Sequence, residues 1–424
     1  MRSTRGMHDI LPDEIEYWQY IYNVAINILG TANYREIRTP IMENTSLFRR
    51  SIGKDTDIVN KEMYSFTDQG ERELTLRPEG TASIARAVME HKLAYDTQIQ
   101  KLWYLGPMFR YERPQYGRQR QFHQLGLEYF GSDNPLVDAE IIYLAEYFLK
   151  HVSCQDYRIE INSIGTVKDR MQYKVKLQEF LLPYTDDLDI ESRMRLNVNP
   201  IRILDTKSQR TQAILTEAPK LIDYLDTREL THFEMVKEYL EVLGVKTIIN
   251  PHLVRGLDYY NSTAFEIKTD KLGTQDTICG GGRYDGLIKE IGGDHTPAIG
   301  WAIGVERLLL LIKENIKLQQ TPLCFYIVTE GYEAKKYALA IVQKIQEAEL
   351  KFELDISDST FQKQIKKGNR KGAMICIIIG QDEVERNMIT LKWLKEYKQI
   401  TYYLKDFEND LIDIKERYKS NLRL

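Results

Sequence analysis

Cysteine is scarce: the chain of 424 residues has 4, at Cys154, Cys279, Cys324 and Cys376, and no two form a C-x-x-C pair. That excludes a disulfide framework and makes a structural zinc site improbable, so the thiols are expected to be reduced core residues in a cytosol-like compartment. The 7 histidines form neither H-x-H nor H-E-x-x-H, and no protein-built metal site is expected. Long apolar runs are missing as well. The richest, IIYLAEYFL (141–149), is broken by Glu146 and falls short of the roughly 18–20 residues that a membrane span needs. The opening MRSTRGMHDILPDE has neither an apolar signal core nor a long basic leader, so no export is expected. Positive charge is not in excess: a net charge of -4 excludes a general nucleic-acid coat, although local basic patches can still grip phosphates. Repeats and low-complexity segments are absent.

What is present describes an ordinary globular chain, 43% hydrophobic and 28% charged, long enough for two or three domains. The most informative stretch is KLWYLGPMFRYERPQYGRQRQFHQLGLEYFG (101–131). Two β-prone runs flank a basic loop at 112–120, which predicts a long antiparallel hairpin; the first run is expected to turn at Gly106-Pro107. A surface hairpin would carry arginines for solubility. Here Arg110, Glu112, Gln124 and Glu128 interrupt the apolar runs themselves, and a charge on a half-buried strand is costly without a partner. A ligand bearing both phosphate and amine groups would satisfy them.

Upstream, Ile15, Trp18, Ile21, Tyr22, Ala25, Ile28 and Leu29 recur at helical spacing, with Gly30 as the expected stop and a strand expected at 34–38 before Pro40. ELTLRPEGTA (73–82) reads as a short strand running into a helix, where Glu79 and Thr81 suit either capping or ligand binding. Asn134-Pro135 opens another amphipathic helix, with Leu136, Ala139, Ile142, Ala145, Phe148 and Leu149 on its buried side. From 166 to 245 helical patterns dominate (167–182, 211–225, 229–243) and glycine is absent until Gly244, which predicts a helical insertion between β segments. LVRGLDYYNSTAFEI (253–267) places Arg255 beside Tyr259 and Tyr260, and that cluster suits core packing or ligand contact equally. GGGRYDGL (280–287) fits no phosphate-loop spacing; its glycines suit a close backbone approach to a ligand or a neighbouring strand. AIGWAIGVERLLLLIKE (298–314) is a strand followed by a helix opened by Gly304, with Arg307 in the first turn. Beyond Thr321-Pro322 strands and helices alternate, and CFYIV and MICIII are apolar throughout, as in a sheet covered on both faces. Lys363, Lys366, Lys367, Arg370 and Lys371 form a basic run there, either a solvated helix face or a contact for nucleic-acid phosphates.

FRYER (109–113) followed by RQFHQLGLE (120–128) resembles motif 2 of the class II aminoacyl-tRNA synthetases, and its FHQLG form resembles the histidyl-tRNA synthetase family. RPEGT, RGLDYYN and the Arg307 helix resemble that family's other motifs, and REIRTP its motif 1, which builds a dimer interface. The resemblance implies an α+β fold: a class II antiparallel-sheet catalytic domain over 1–165 and 246–320, a helical insertion at 166–245 above the tRNA acceptor stem, and an α/β anticodon-binding domain at 321–424. It implies homodimeric assembly with L-histidine, ATP and tRNA-His as partners, and Mg²⁺ held mainly by ATP phosphates. Arg110 and Arg255 would be the catalytic cations. ATP would meet Arg110, Glu112, Arg118, Phe122 and Arg307, its adenine lying between Phe122 and Arg307. Histidine would meet Glu79, Thr81, Gln124, Glu128, Arg255, Tyr259, Tyr260 and Tyr284. A pocket of buried polar groups rejects analogues lacking a partner atom by roughly 10⁴–10⁵-fold, so no editing domain is needed. The rival readings are a non-catalytic histidine-binding regulatory paralogue and a class II synthetase for another amino acid. The expected location is the cytoplasm, or alternatively a plastid or other organellar interior, which the abundance of Lys, Ile, Asn and Tyr would suit.

Overall fold

The computed structural model describes the chain apart from residues 54, 55, 95–97, 116, 274, 275, 319–321, 397, 423 and 424. It divides into two compact units, Met1–Lys317 and Leu318–Leu424. Thr321, where the sequence suggests a boundary, lies outside the described residues.

The first unit opens with α1 (Pro12–Thr31), β1 (Arg35–Glu36), β2 (Met42–Asn44) and α2 (Thr45–Ser51). Then come β3 (Tyr64–Thr67), β4 (Glu73–Leu76), α3 (Thr81–Glu90), β5 (Gln100–Phe109), β6 (Gln121–Phe130) and α4 (Pro135–His151). β7 (Arg158–Ser163) precedes α5 (Val167–Leu181), α6 (Ile190–Arg195), α7 (Gln209–Leu215) and α8 (Thr227–Val242). β8 (Thr247–Ile249), β9 (Asn261–Lys268), β10 (Thr277–Arg283), α9 (Leu287–Glu290), β11 (Ala298–Gly304) and α10 (Val305–Asn315) complete it. Eight strands form one sheet in the order β1-β5-β6-β11-β10-β9-β7-β8, antiparallel except at its two outermost pairs. β2, β4 and β3 make a small antiparallel sheet beside it.

Side-chain alternation along β5 and β6 decides what lies on each face of the large sheet. Trp103, Leu125, Leu127 and Tyr129 enter a core with residues of α1, α4, α8 and α10. Leu102, Tyr104, Met108 and Phe130 enter a second core on the other face, shared with α3 and the helices of 166–245. Arg110, Phe122, Gln124 and Glu128 are in phase with that second set, so the polar interruptions of both strands share one face.

Several local expectations change. Gly106 and Pro107 do not turn the chain; β5 runs straight through them, with Pro107 paired to His123. A proline fits because β1 covers only Leu102 and Trp103, so β5 is an edge strand at that point. Gly30 does not stop α1. The helix continues to Thr31, and Asn33 takes the left-handed conformation (φ 63°) while Tyr34 N–H donates to the Leu29 carbonyl. The strand expected at 34–38 shrinks to two residues. Leu136 is exposed in the first turn of α4, and the neighbouring Val137 is buried instead. The helix expected at 211–225 is broken after Leu215, ahead of Pro219, which has no N–H to continue it.

Under the sheet, the Arg283 guanidinium (1% exposed) is ion-paired with Asp138, which is fully buried, and also donates to the Ser132 carbonyl (2.9 Å) and Asp285 (3.1 Å). Burial by itself raises the Asp138 carboxyl, but Arg283 and His232 outweigh it and hold it below its ordinary range. Asp138→Ala leaves this buried cation with Asp285 as its remaining carboxylate, so a loss of roughly 3 kcal/mol is expected, read as a lowered urea midpoint.

The second unit is a five-stranded mixed sheet, built from β12 (Phe325–Thr329), α11 (Tyr332–Glu347), β13 (Phe352–Leu354), α12 (Phe361–Arg370), β14 (Ile375–Ile379), α13 (Gln381–Glu385), β15 (Met388–Trp393), β16 (Gln399–Tyr403) and α14 (Leu404–Leu422), in the order β13-β12-β14-β15-β16. Phe325 and Ile327 enter one core and Tyr326 and Val328 another, which is why CFYIV is apolar without alternation. The five basic residues at 363–371 are exposed on and just after α12; Lys367 lies 3.4 Å from Asp355, and Lys371 is paired with Glu353.

Candidate active site

On the polar face of the large sheet is a cavity of about 380 Å³. Chain segments far apart in sequence converge on it: the β4–α3 turn, the β5–β6 hairpin, the segment before β9, β10 and the start of α10. Of the residues singled out from sequence, Glu79, Thr81, Arg110, Glu112, Arg118, Phe122, Gln124, Arg255, Tyr259, Tyr260 and Arg307 line it. Glu128 and Tyr284 do not reach its wall. They lie directly behind, 0% and 1% exposed.

The β4–α3 turn serves both roles considered for it. Glu79 accepts the N–H groups of Thr81 and Ala82, each at 2.8 Å, and so caps α3. A carboxylate offers about four acceptor positions, so capping leaves lone pairs for a ligand. Burial raises the Glu79 carboxyl, against the pull of those two N–H groups and of Arg110. The Thr81 hydroxyl gives its hydrogen to Glu128 (2.7 Å), and the Tyr284 hydroxyl donates to the other Glu128 oxygen. Burial pushes the Glu128 carboxyl up to about 8 in spite of these two donors. Gln124 accepts from the Gly80 N–H at 3.2 Å.

Cations occupy the other wall. Arg110 donates to the Pro78 carbonyl (2.8 Å) and stacks 5.2 Å from the centre of the Phe122 ring. The ring face assigned to adenine is therefore shared with Arg110. Arg307 donates to the carbonyls of Gly117 (3.0 Å) and Thr277 (2.9 Å), which ties the hairpin tip to β10. Arg118 is ion-paired with Glu112 at 2.8 Å, so those two hold each other. Arg255 is paired with Glu266 and lies 5.4 Å from the Tyr260 ring centre. Burial lowers its guanidinium's proton affinity, but Glu266 and the adjacent tyrosines outweigh that and hold it above its ordinary value. Gly280 makes room for it: a Cβ there would lie 2.4 Å from the Arg255 Nη2 atom. Gly281 and Gly282 instead face the backbone carbonyls of Gly300 and Thr263, so the glycine run answers a side chain at Gly280 and close neighbouring strands beyond it.

Sequence reasoning missed Asp205 and Lys207, which bring the helical block to the cavity, and also Glu266 and Glu306. Glu266 interrupts an apolar strand as Glu128 does, and the same signal would have found it. Glu306 accepts the backbone N–H of His123 (2.9 Å) and contacts its ring Nδ1 (2.9 Å), so the histidine of FHQLG locks β6 to α10. Arg77 of RPEGT bridges strands, donating to the carbonyls of Pro107 (2.9 Å) and Thr39 (3.1 Å).

The chain is similar to known proteins along its length. A family model described as histidyl-tRNA synthetase matches residues 6–308, and one described as an anticodon binding domain matches 324–414. The chain is 54% identical to the chloroplastic histidine--tRNA ligase of Gracilaria tenuistipitata var. liui, covering 97% of this chain and 98% of that one. It is 49% identical to the histidine--tRNA ligase of Synechococcus elongatus, over 100% and 96%. Among solved structures, apo histidyl-tRNA synthetase of S. aureus superposes with a TM-score of 0.81 at 36% identity, over 97% of this chain and 99% of that one.

Proposed function

The chain belongs to the histidyl-tRNA synthetase family, and we propose that its cavity joins L-histidine to ATP and then passes the histidyl group to the 3′ end of tRNA-His. In the first step a carboxylate oxygen attacks the α-phosphorus of ATP; the bond to the pyrophosphate oxygen breaks and histidyl-adenylate forms. Attack by the terminal ribose hydroxyl on its carbonyl then releases AMP. Two anions must meet in the first step, so the observation that carries the reading is the convergence of Arg110 and Arg255 on one cavity with Glu79. Each guanidinium can bridge a carboxylate and a phosphate oxygen, with a hold that strengthens as charge builds. Glu79, Thr81 and Gln124 take the α-ammonium. Having given its hydrogen to Glu128, Thr81 can only accept there. Glu128 accepts an imidazole N–H, while Tyr260 serves the other ring nitrogen; Tyr284, having given its hydrogen to Glu128, can only accept from the ring, and Tyr259 backs them.

ATP takes Arg110, Glu112, Arg118, Phe122 and Arg307; its adenine lies against Phe122 and Arg307, and Arg118 holds the γ-phosphate or the tRNA end. Glu112, Glu266 and Glu306 are engaged with Arg118, Arg255 and His123, which suits Mg²⁺ bound mainly through ATP phosphates. There it would neutralise the leaving pyrophosphate. The domains are read as catalytic (1–165 and 246–320), insertion (166–245) over the acceptor stem and anticodon-binding (321–424), with the basic run at 363–371 toward tRNA phosphates. The protein acts as a homodimer in the cytoplasm or the interior of a plastid. A purely regulatory histidine-binding role is not favoured, since both ligase domains match. Histidine alone among the amino acids is expected to support ATP–pyrophosphate exchange; exchange with another amino acid, or none, would sink the reading.

A further inference from the structure

Tyr104 is absent from the roles assigned above, yet its ring is held in a close fit behind the cavity. A Cβ added at Gly80 or at Gly126 would lie 2.2 Å from ring atoms of Tyr104. The glycine of RPEGT and that of FHQLGLE thus both leave space for one phenol. Tyr104 pairs with Gly126 across β5–β6, and Leu102 pairs with Glu128. Tyr104 and Glu128 are therefore diagonal neighbours on one face, within reach of a long side chain. Although Tyr104 is only 4% exposed, its hydroxyl meets no hydrogen-bond partner among the described residues, and it faces Thr81 and Glu128. Thr81 and Tyr284 have already spent their hydrogens on Glu128. A buried donor left unpaired costs roughly 1–3 kcal/mol, which favours any state that supplies an acceptor.

We propose that Tyr104 is a positioning residue for amino-acid selectivity: its hydroxyl becomes the third donor to the Glu128 carboxylate whenever that carboxylate ionises, and so keeps it ready to accept the ring N–H of the substrate. This rests on the reading of Glu128 as the imidazole's partner. A hydroxyl donates to the ionised carboxylate, so it favours the form that accepts. The ionisable groups facing Glu128 are Glu79 and Tyr104, Tyr259, Tyr260 and Tyr284. Of these Glu79 opposes its ionisation, and the hydroxyls of Tyr284 and Tyr104, with that of Thr81, favour it. Burial, then the Glu128 and Glu79 charges, hold the Tyr104 phenol well above its ordinary value, so it remains a donor.

The test is the histidine KM of Tyr104→Phe in ATP–pyrophosphate exchange from pH 6.5 to 9, in the full-length protein. The ring is retained, so its packing between the two glycines is unchanged. At pH 7 the KM is expected to rise about tenfold over the unsubstituted protein, the worth of one hydrogen bond to a charged group. Losing a donor makes Glu128 harder to ionise, a handicap that fades at high pH, so the ratio should fall at least threefold by pH 9. Titrations of histidine itself are common to both proteins and cancel in the ratio. In a Glu128→Gln background the same change should alter KM less than twofold. A ratio constant across pH, or an equal effect in the Glu128→Gln background, would reduce Tyr104 to packing and overturn the proposal. If the unsubstituted protein shows no histidine-dependent exchange, the failure lies with the assigned function and not with Tyr104.

Discussion

Arg255→Ala is expected to lower histidine-dependent ATP–pyrophosphate exchange by roughly 10³-fold or more, about 4 kcal/mol of transition-state stabilisation. The reason is geometric. The guanidinium is held from three sides, by Glu266, by the Tyr260 ring and by the space left at Gly280. It is thus positioned before any substrate arrives, and a cation that need not reorganise is worth most where charge develops. Stability should change little, because removal of Arg255 does not strand Glu266: Lys268 Nζ lies 3.1 Å from it. Arg255→Lys should recover only a small part of the activity, since one ammonium cannot span a carboxylate and a phosphate with a planar fork. Exchange within tenfold of the unsubstituted protein, with an unaltered urea midpoint, would remove Arg255 from the reaction.

The signal that located the cavity in the sequence was charge placed on strands that otherwise read as apolar. Glu128, Gln124 and Arg110 fall in one phase of the β5–β6 pairing, so a period-two pattern with polar exceptions marks a sheet face that looks onto a ligand. Spacing could not separate capping from binding at Glu79, because the same lone pairs serve both. Nor could it show that Glu128 lies behind the wall: depth depends on what Thr81 and Tyr284 place in front of it, and both come from other elements. The misplaced turn at Gly106-Pro107 has a similar origin. Proline breaks a central strand, and only the full sheet order reveals that β5 has a free edge there. Lys207 and Asp205 were out of reach for the same reason: a helical block gives no sign of which of its loops returns to the sheet. In the second unit α14 was legible but unread, since Phe407, Leu411, Ile414 and Tyr418 recur at helical spacing and are all buried; β16 is five residues long with three of them exposed, which leaves little apolar signal.

Glu128→Gln should move affinity and stability in opposite directions, and pH separates the two effects. The Glu128 carboxyl is pushed up to about 8 by burial, so near neutrality it is mostly protonated in the free protein. Only the ionised form is a full acceptor for an imidazole N–H, and that form gains population as pH approaches and passes 8. Glutamine cannot ionise. The ratio of histidine KM, variant over unsubstituted, is therefore expected to widen from about tenfold or less at pH 6.5 to roughly 100-fold at pH 8.5, in line with ~1.5–3 kcal/mol for a hydrogen bond to a charge. Stability runs the other way. A carboxyl whose folded proton affinity is raised contributes stability that is fully present below its unfolded pKa, ~4.3, and is lost as pH rises through its folded value. The unsubstituted protein should therefore lose stability between pH 4.5 and about 8 on account of this one side chain. Glu128→Gln, which fills the same volume without a charge to bury, should escape that loss and exceed it in unfolding free energy at pH 8 by on the order of 2–4 kcal/mol. Urea midpoints at pH 5 and pH 8 measure the difference. A variant that binds histidine as well as its parent at pH 8.5, or that gains no stability over its parent on going from pH 5 to pH 8, would mean that Glu128 is not the strained acceptor of the pocket. Both shifts together would mean that selectivity for an imidazole is maintained at the expense of the fold, by keeping a carboxylate where the protein alone does not favour one.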